Sequence, residues 1–282
     1  ELAQRIPQGP TYLSVPIENM VHEWTPPKRA RKAPPPTRTR ATDTDIEEVA
    51  AALANAKNPI VQTEAAGRDQ ACFDALVALC DTLALPVFEN NQGKGSNFPK
   101  NNKMHQGFSI EPHLDVADVA LVVRSRSPWY PPSAGPHNAQ VIAIDEAPLD
   151  DTMVYQSLQA TSYLEGDVAT TLTLLLKAVQ RIGVDEAKIT ERRERLEAAH
   201  DERQRILTQT LEKVSSDNVI HPAYLASRLS AVLPKNACYV DETTTHRIPL
   251  QNFLQWEQAF DYVKVPTGLG QGLGVALGVK LG

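Results

Sequence analysis

Apolar residues recur along the chain in two alternating patterns, which together predict a parallel α/β sheet. Short runs that predict strands occur at residues 60–63, 86–88, 116–123 and 141–145. The nearly unbroken apolar run at 116–123 is typical of a strand buried on both faces. Between the first two runs, residues 72–83 carry apolar side chains at helical spacing on one face. Helices that alternate with buried strands favour right-handed crossovers, so we predict a Rossmann-like domain.

One more helix is predicted directly before the first strand. Residues 46–53 place isoleucine, valine, alanine and leucine at helical spacing. Thr44 or Asp45 is expected to cap the start of this helix, because both side chains accept hydrogen bonds from free backbone N–H groups. The Asn58-Pro59 pair is expected to end it.

Three other segments have weaker patterns. Residues 9–16 hold β-branched and aromatic residues between proline and glycine, which predicts a short strand. Residues 24–44 mix prolines with lysines and arginines, which favours a semi-rigid linker over a nuclear address or an anion patch. Residues 185–214 carry opposite charges at helical spacing and few apolar residues, so we predict a solvated connector helix.

Composition narrows the possible functions. The chain has 282 residues and a formal net charge of −6, which suits one large or two ordinary domains and argues against nucleic acid as a main partner. No run of membrane-spanning length and no signal peptide is visible, so a cytoplasmic location is the default expectation. Cys72, Cys80 and Cys238 lie in apolar surroundings without metal-binding spacing, which predicts buried free thiols.

Candidate chemistry is concentrated near the C terminus. The apolar run at 237–240 stops at Asp241-Glu242 and is followed by three threonines and a histidine at 243–246. This is the pattern of a strand that ends in a polar loop, where open α/β sheets bind ligands. A glycine run at 267–274 then leads into an apolar helix start at 275–279. Glycine there allows the backbone to approach a ligand or another helix closely.

Taken in order, these C-terminal features resemble the diphosphate-binding domain of thiamine-diphosphate-dependent enzymes. The relevant group contains acetolactate synthase, benzoylformate decarboxylase and pyruvate decarboxylase. The features are Ile220-His221-Pro222, a helix at 223–233, the strand and acidic-polar turn, an aromatic stretch with Phe253, Trp256 and Phe260, and the glycine run. Residues 9–16 are similar to the end of the pyrimidine-binding domain of the same group, and the pattern from Asn58 to Asp145 is similar to its central domain.

The resemblance implies five segments. They are the tail of a pyrimidine-binding domain (1–20), a linker (21–44), a central Rossmann-like domain (45–183), a charged connector helix (184–218) and the start of an α/β diphosphate-binding domain (219–282). It also implies that the glutamate that activates the cofactor lies before Glu1, which leaves the catalytic residues unassigned. The Gly-Asp-Gly magnesium motif would lie beyond Gly282, so the 282-residue chain alone is expected to be inactive.

The resemblance further implies how the polar loop is used. Thr244 and Thr245 would contact the cofactor diphosphate, with His246 at the edge of the same loop. Hydroxyl groups suit this role because they donate hydrogen bonds without adding charge. The alternative is a polar turn in which the threonines satisfy their own backbone.

The glycine run would hold the other end of the bent cofactor. By resemblance, Leu269 is the apolar wedge over which the cofactor bends, and the backbone carbonyl of Thr267 holds the aminopyrimidine. Gly268 and Gly270 would leave room for the rings. The bend matters because proximity turns a slow deprotonation into an intramolecular one. The alternative is a glycine-rich helix start chosen for tight packing.

Other candidate residues are given structural interpretations. Some family members bind FAD or ADP in the central domain. Here Ala65-Ala66-Gly67-Arg68 is only weakly similar to a phosphate-binding turn, so a ligand-free central domain is favoured. His105 and His113 are interpreted as structural or surface residues. Asp241 and Glu242 are adjacent and point to opposite faces, so they cannot act as a catalytic pair.

For the intact protein, the resemblance implies decarboxylation or carboligation of a 2-oxo acid or acyl donor, similar to acetolactate synthase. Thiamine diphosphate and Mg²⁺ would be the cofactors, and active sites between subunits would require a homodimer or homotetramer. The competing hypothesis is a non-catalytic nucleotide-binding or assembly module that retains the fold. Binding of thiamine diphosphate with Mg²⁺ would separate the two hypotheses.

Overall fold

The first of two compact units shows little regular structure. A computed structural model describes residues 2–5, 8–26, 28–29, 34–149, 158–215, 219–265 and 268–282. The two units are residues 1–39 and 40–282. In the first, the helix α1 is Ile17–Val21. The strand predicted at 9–16 is wrong, because no described segment pairs with it and Tyr12 is 94% exposed. A strand without a neighbour has no partners for its backbone N–H and C=O groups.

The second unit is built on a six-stranded parallel sheet, which confirms the predicted α/β fold. Its strands are β1 (Pro59–Thr63), β2 (Val87–Glu89), β3 (His105–Gly107), β4 (Val119–Val123), β5 (Gln140–Asp145) and β6 (Ser162–Glu165). They follow the order β3-β2-β1-β4-β5-β6, and all neighbours are parallel. The order reverses between β1 and β4. Sheets of this kind open a crevice at the carboxyl ends of those strands.

The central strands are those that the apolar runs predicted. Every residue of β1 and of β4 is buried, because helices cover one face of the sheet and loops cover the other. The run at 116–123 is shorter as a strand than predicted, since β4 begins only at Val119. Asp118 explains the difference: its carboxylate accepts the backbone N–H groups of Lys57 (2.6 Å) and Asn58 (2.9 Å), which turns the chain before the strand.

Three helices cover one face of the sheet, each with a side-chain cap at its N terminus. They are α2 (Asp43–Asn55), α3 (Gln70–Leu83) and α4 (Val168–Ile182). Thr42, and not Thr44 or Asp45, caps α2, because its side chain accepts the backbone N–H of Asp45 (3.2 Å). Asp69 and Asp167 cap the other two helices in the same way. The helices supply most of the main apolar core.

The long charged helix α5 (Glu186–Ser215) is exposed along most of its length, as its charges predict, but one of its faces is buried. Ile189, Arg192, Leu196 and His200 form a buried face along it. Arg192 donates to the carbonyl oxygens of Leu83 (3.1 Å) and Ala56 (2.6 Å), next to the ends of α3 and α2. The helix therefore packs on the sheet domain through charged residues that satisfy backbone groups.

The C-terminal segment adds a second, two-stranded parallel sheet. Its elements are α6 (Pro222–Val232), β7 (Tyr239–Asp241), α7 (Arg247–Phe253), β8 (Tyr262–Lys264) and α8 (Gly272–Leu281). Trp256 and Tyr262 are buried in its core. Cys238 precedes β7 and is exposed, which corrects its prediction as a buried thiol, whereas Cys72 and Cys80 are buried.

Candidate functional site

A cleft of about 250 Å³, which we call the C-terminal cleft, lies where the loop after β2 meets the two-stranded sheet. Gly95 bridges Val263, and the backbone N–H of Lys264 donates to the carbonyl of Lys94 (3.0 Å). These contacts hold the loop beside the end of β8. The cleft is lined by Gln92, Lys94, Glu242, Thr243, Thr244, Arg247, Lys264, Val265, Gly268 and Leu269.

The C-terminal cleft gathers half of the described residues that the sequence predicted for cofactor binding. Thr244, Gly268 and Leu269 line it. Thr245 and His246 follow Thr244 in the exposed loop before α7 but are not lining residues. The other two predicted residues are Gly270, which is exposed in the turn before α8, and Thr267, which lies outside the described residues.

The glycine run forms a turn that only glycine adopts easily. Gly268 has a φ of +156° and Gly270 a φ of +81°, in a range where a Cβ atom causes strain. Leu269, between them, is 92% exposed. Glu242 fixes the end of this turn, because its carboxylate accepts the backbone N–H groups of Gln271 (3.0 Å) and Gly272 (2.8 Å).

Removal of the Glu242 carboxylate is expected to loosen the glycine run. We expect Glu242→Ala to increase amide hydrogen exchange at Gln271 and Gly272 roughly tenfold, since it removes about 1.4 kcal/mol of hydrogen bonding from a helix start. Exchange is measured by NMR or mass spectrometry. Glu257→Ala, in an exposed loop of the same segment, is the control. Equal exchange in both variants would contradict the role of Glu242.

Three cationic side chains line the C-terminal cleft, and they come from a loop, a helix and a strand. Lys94 comes from the loop after β2, and Lys264 and Arg247 come from the two-stranded sheet and α7. The amide oxygen of Gln92 accepts hydrogen bonds from Arg247 (2.5 Å) and Lys264 (3.1 Å). Burial and the nearby Arg247 guanidinium lower the pKa of Lys264. The buried Nε of Arg247 has no hydrogen-bond partner among the described residues.

Asp241 orders the start of the polar loop. Its carboxylate accepts the hydroxyl of Tyr262 (2.5 Å) and the backbone N–H of Thr243 (2.7 Å). Burial, together with this hydrogen bond, raises the pKa of Tyr262, which therefore stays a hydroxyl donor. Asp241 thus faces the buried side of the sheet and Glu242 the glycine run, as expected for adjacent strand residues.

A buried lysine supports α7 from the opposite end. Lys100 is 3% exposed, and its Nζ donates to the carbonyls of Gln251 (2.5 Å), Asn252 (3.0 Å) and Leu254. These carbonyls lie in the last turn of α7, where helices lack internal partners and cations are favoured. The Nζ atom also lies 4.4 Å from the ring centroid of Trp256. Lys100 therefore joins the sheet domain to the helix that begins in the C-terminal cleft.

Beneath Lys100, Glu89 joins three parts of the structure. Its carboxylate accepts the backbone N–H of Asn97 (2.8 Å) and the indole N–H of Trp256 (3.2 Å), and lies 3.1 Å from Nε2 of His105. Burial raises the pKa of Glu89 to about 7 and lowers that of Lys100 to about 7, while attraction between the two opposes both shifts. Hydrogen bonds, rather than solvation by water, therefore stabilise the charged forms of Glu89 and Lys100.

His105 is a structural residue of this buried group. Arg203 of α5 lies 3.0 Å from its Nδ1, so Nδ1 accepts and Nε2 carries the proton that faces Glu89. Nδ1 of His200 lies 3.0 Å from the carbonyl oxygen of His105. Burial holds the pKa of His105 well below its usual range, which keeps the ring neutral.

A second cleft, of about 420 Å³, opens at the carboxyl ends of the central strands, and we call it the switch-point cleft. It lies where the strand order reverses between β1 and β4. Its lining residues are Gln62, Glu64, Asn90, Asn91, Gln92, Phe108, Ile110, Glu111, Arg126, Ser127, Pro128, Trp129 and Tyr130. Gln92 also lines the C-terminal cleft, so the two clefts are neighbours.

The segment at 65–68, which is weakly similar to a phosphate-binding turn, packs against another part of the protein. A Cβ atom built on Gly67 would lie 1.7 Å from the carbonyl oxygen of Ser96, so the glycine allows two backbone segments to touch. Its N–H donates to the side chain of Asn97 (3.1 Å). This turn therefore leaves no room for a phosphate group.

In the described part of the chain, no group of three or more His, Cys, Asp or Glu residues is placed to hold a metal ion. No helix in the same residues is long and apolar enough to cross a membrane.

Comparison with known proteins relates these features to a family. Residues 46–175 match the family model of the thiamine pyrophosphate enzyme central domain. The chain is 28% identical over 293 residues to the probable 2-ketoarginine decarboxylase AruI of Pseudomonas aeruginosa. The aligned region covers 97% of this chain and 47% of that protein. The chain thus spans about half the length of this curated relative.

Two solved structures share the fold at low sequence identity. A protein of Mycobacterium smegmatis assigned to the thiamin diphosphate-dependent enzymes has a TM-score of 0.72 at 19% identity, over 99% of this chain and 52% of the other. Benzoylformate decarboxylase from Polynucleobacter necessarius has a TM-score of 0.71 at 19% identity, over 99% and 50%. The match over residues 46–175 and the similarity to the curated relative confirm the predicted resemblance of the chain to the thiamine-diphosphate-dependent superfamily, and the two solved structures support the fold.

Proposed function

We propose that the protein containing this chain is a thiamine-diphosphate-dependent decarboxylase of 2-oxo acids. The observation that carries the proposal is the C-terminal cleft, which brings Thr244, Gly268 and Leu269 together with three cationic side chains. The names of two similar proteins support the reaction class, since 2-ketoarginine and benzoylformate are both 2-oxo acids.

The donors in the C-terminal cleft fit a diphosphate. Lys94, Arg247 and Lys264 offer positive charge, and the hydroxyl groups of Thr243 and Thr244 offer neutral donors. The planar guanidinium of Arg247 suits the geometry of phosphate oxygens. A bound diphosphate also favours the charged form of Lys264, which opposes the lowering of its pKa by burial.

The glycine run fits the ring end of the cofactor. Leu269 is a large apolar side chain that is 92% exposed beside the cleft, and contact with a ligand removes its apolar surface from water. Gly268 and Gly270 add no side chains on either side of it. The proposed cofactor-binding set thus remains Thr244, Thr245, His246, Thr267, Gly268, Leu269 and Gly270, of which Thr267 lies outside the described residues.

In this proposal, the chain binds and orients, while the cofactor supplies the reactive group. When bound, thiamine diphosphate would offer an electron sink for the electron pair that stays behind when the carboxylate group leaves as CO₂. Arg247 and Lys264 hold the diphosphate, Leu269 sets the angle between the rings, and Glu242 keeps the glycine run in place. Lys100 positions α7, and with it Arg247, from the far end of that helix.

The remaining assignments belong to the whole protein. We assign residues 1–20 to a pyrimidine-binding domain, 45–183 to the central domain and 219–282 to the diphosphate-binding domain, joined by the linker 21–44 and the helix segment 184–218. The activating glutamate and the Mg²⁺ ligands are assigned to parts of the protein outside this sequence. Active sites between subunits would make the protein a homodimer or homotetramer. We assign no FAD or ADP to the central domain, as the sequence analysis favours.

The reaction is tested on the full-length gene product. After removal of bound cofactor, release of CO₂ from 2-ketoarginine, benzoylformate and pyruvate is measured with and without thiamine diphosphate and Mg²⁺. The proposal expects release from at least one 2-oxo acid that depends on both additions. An aldehyde product indicates simple decarboxylation, whereas a new carbon–carbon bond indicates carboligation similar to acetolactate synthase. Neither turnover nor cofactor binding would favour the non-catalytic module.

A further inference from the structure

The switch-point cleft contains a buried polar group without a partner. Gln62, in the middle of β1, is 3% exposed and lines this cleft. Its neighbours in the sheet register are Phe88 on β2 and Val122 on β4, both apolar. Its amide oxygen is buried and has no hydrogen-bond partner among the described residues. An unpaired buried amide is destabilising, so its presence beside a cleft points to a ligand that donates a hydrogen bond.

The charges around the switch-point cleft favour a cation. Glu64 and Glu111 line it, against one guanidinium, that of Arg126. The Glu64 carboxylate accepts the backbone N–H of Arg126 (3.2 Å), and that of Glu111 accepts the hydroxyl of Ser109 (2.8 Å). Each carboxylate therefore keeps further lone pairs for a donor in the cleft.

The walls of the cleft suit a small organic ion. Phe108, Trp129 and Tyr130 supply aromatic rings, on which guanidinium and ammonium groups stack favourably. A volume of about 420 Å³ holds a molecule of the size of an amino acid derivative.

We propose that the switch-point cleft binds a small organic cation with several N–H donors, such as a guanidinium or amine compound. One N–H donates to the amide oxygen of Gln62, and the positive charge lies between Glu64 and Glu111, beside the aromatic rings. The site is separate from the proposed cofactor site, although Gln92 lines both clefts. Its ligand is a free small molecule, and binding does not require thiamine diphosphate.

The test uses the full-length gene product without added cofactor, with agmatine as the probe. Thermal unfolding and titration calorimetry are measured for wild type, Gln62→Leu and Glu111→Gln. We expect agmatine to raise the Tm of wild type and both substitutions to weaken its binding at least tenfold. Gln62→Leu also raises the Tm of the ligand-free protein by about 2–4 °C, because it removes an unsatisfied polar group of similar volume.

The control is Glu165→Gln, an exposed acid at the end of β6 that does not line the cleft. It should bind agmatine as wild type does. The proposal is overturned if agmatine neither binds nor raises the Tm of wild type, or if Gln62→Leu and Glu111→Gln bind it as well as wild type. Binding of ADP or FAD in place of agmatine, weakened by the same substitutions, would also overturn it and identify a nucleotide cleft.

Discussion

Lys100→Met is expected to lower the free energy of unfolding by about 3–5 kcal/mol, because it removes several hydrogen bonds from a charged donor, each of which contributes about 1.5–3 kcal/mol. The substitution keeps the apolar stem but removes the donor to three carbonyls of α7. Those carbonyls are left without their donor, and Glu89 loses its opposite charge. The effect should spread to the C-terminal segment, because Trp256 packs against the same ammonium group.

Urea unfolding followed by tryptophan fluorescence measures this effect. Lys103→Met is a matched control, since Lys103 lies three residues away and pairs with Asp201 at the surface. Exposed pairs contribute little, so we expect a change of less than about 1 kcal/mol. Equal losses in the two variants would show that Lys100 does not join the domains as described.

Leu269→Ala is expected to reduce turnover by the full-length protein about 10- to 100-fold. The proposed role of Leu269 is to set the cofactor angle, and small errors in the position of reacting groups cost rates of this order. The free energy of unfolding should change by less than about 0.5 kcal/mol, because the side chain is 92% exposed and its removal leaves no cavity. A large loss of rate without a loss of stability distinguishes this role from a structural one.

Steady-state assays and thermal unfolding are needed together for this variant. Leu273→Ala is the control, because Leu273 is exposed in α8 and does not line the C-terminal cleft. It should keep turnover within about twofold. Leu269→Met restores an apolar side chain of similar volume and should recover most of the rate. Full activity of Leu269→Ala would contradict the assigned role.

The sequence predicted the central strands because burial on both faces selects nearly continuous apolar runs. It did not predict β3 and β6, which are edge strands of three and four residues with polar side chains. The buried face of α5 was also missed. Arg192 and His200 occupy positions on that face where an apolar residue is expected, and only the structure shows the carbonyls that satisfy them.

The candidate site shows a similar division. The threonines and glycines of the C-terminal cleft were predicted because they belong to a local series of residues. Such a series can be recognised in the sequence without knowledge of the fold. Lys94 was not predicted, because it is distant in sequence from these residues. It reaches the cleft only because its loop pairs with β8. Arg247 and Lys264 carry no motif, and nothing in the sequence alone shows that they converge with Lys94.

The most direct test is calorimetric titration of thiamine diphosphate with Mg²⁺ into the cofactor-free, full-length gene product and its Arg247→Gln/Lys264→Gln variant. If the C-terminal cleft holds the diphosphate, wild type binds and the variant binds at least about 100-fold more weakly, since each charged hydrogen bond contributes about 1.5–3 kcal/mol. Arg228→Gln, on the exposed side of α6, should bind as wild type does. Equal affinity of wild type and the double variant, or no binding by wild type, would contradict the account.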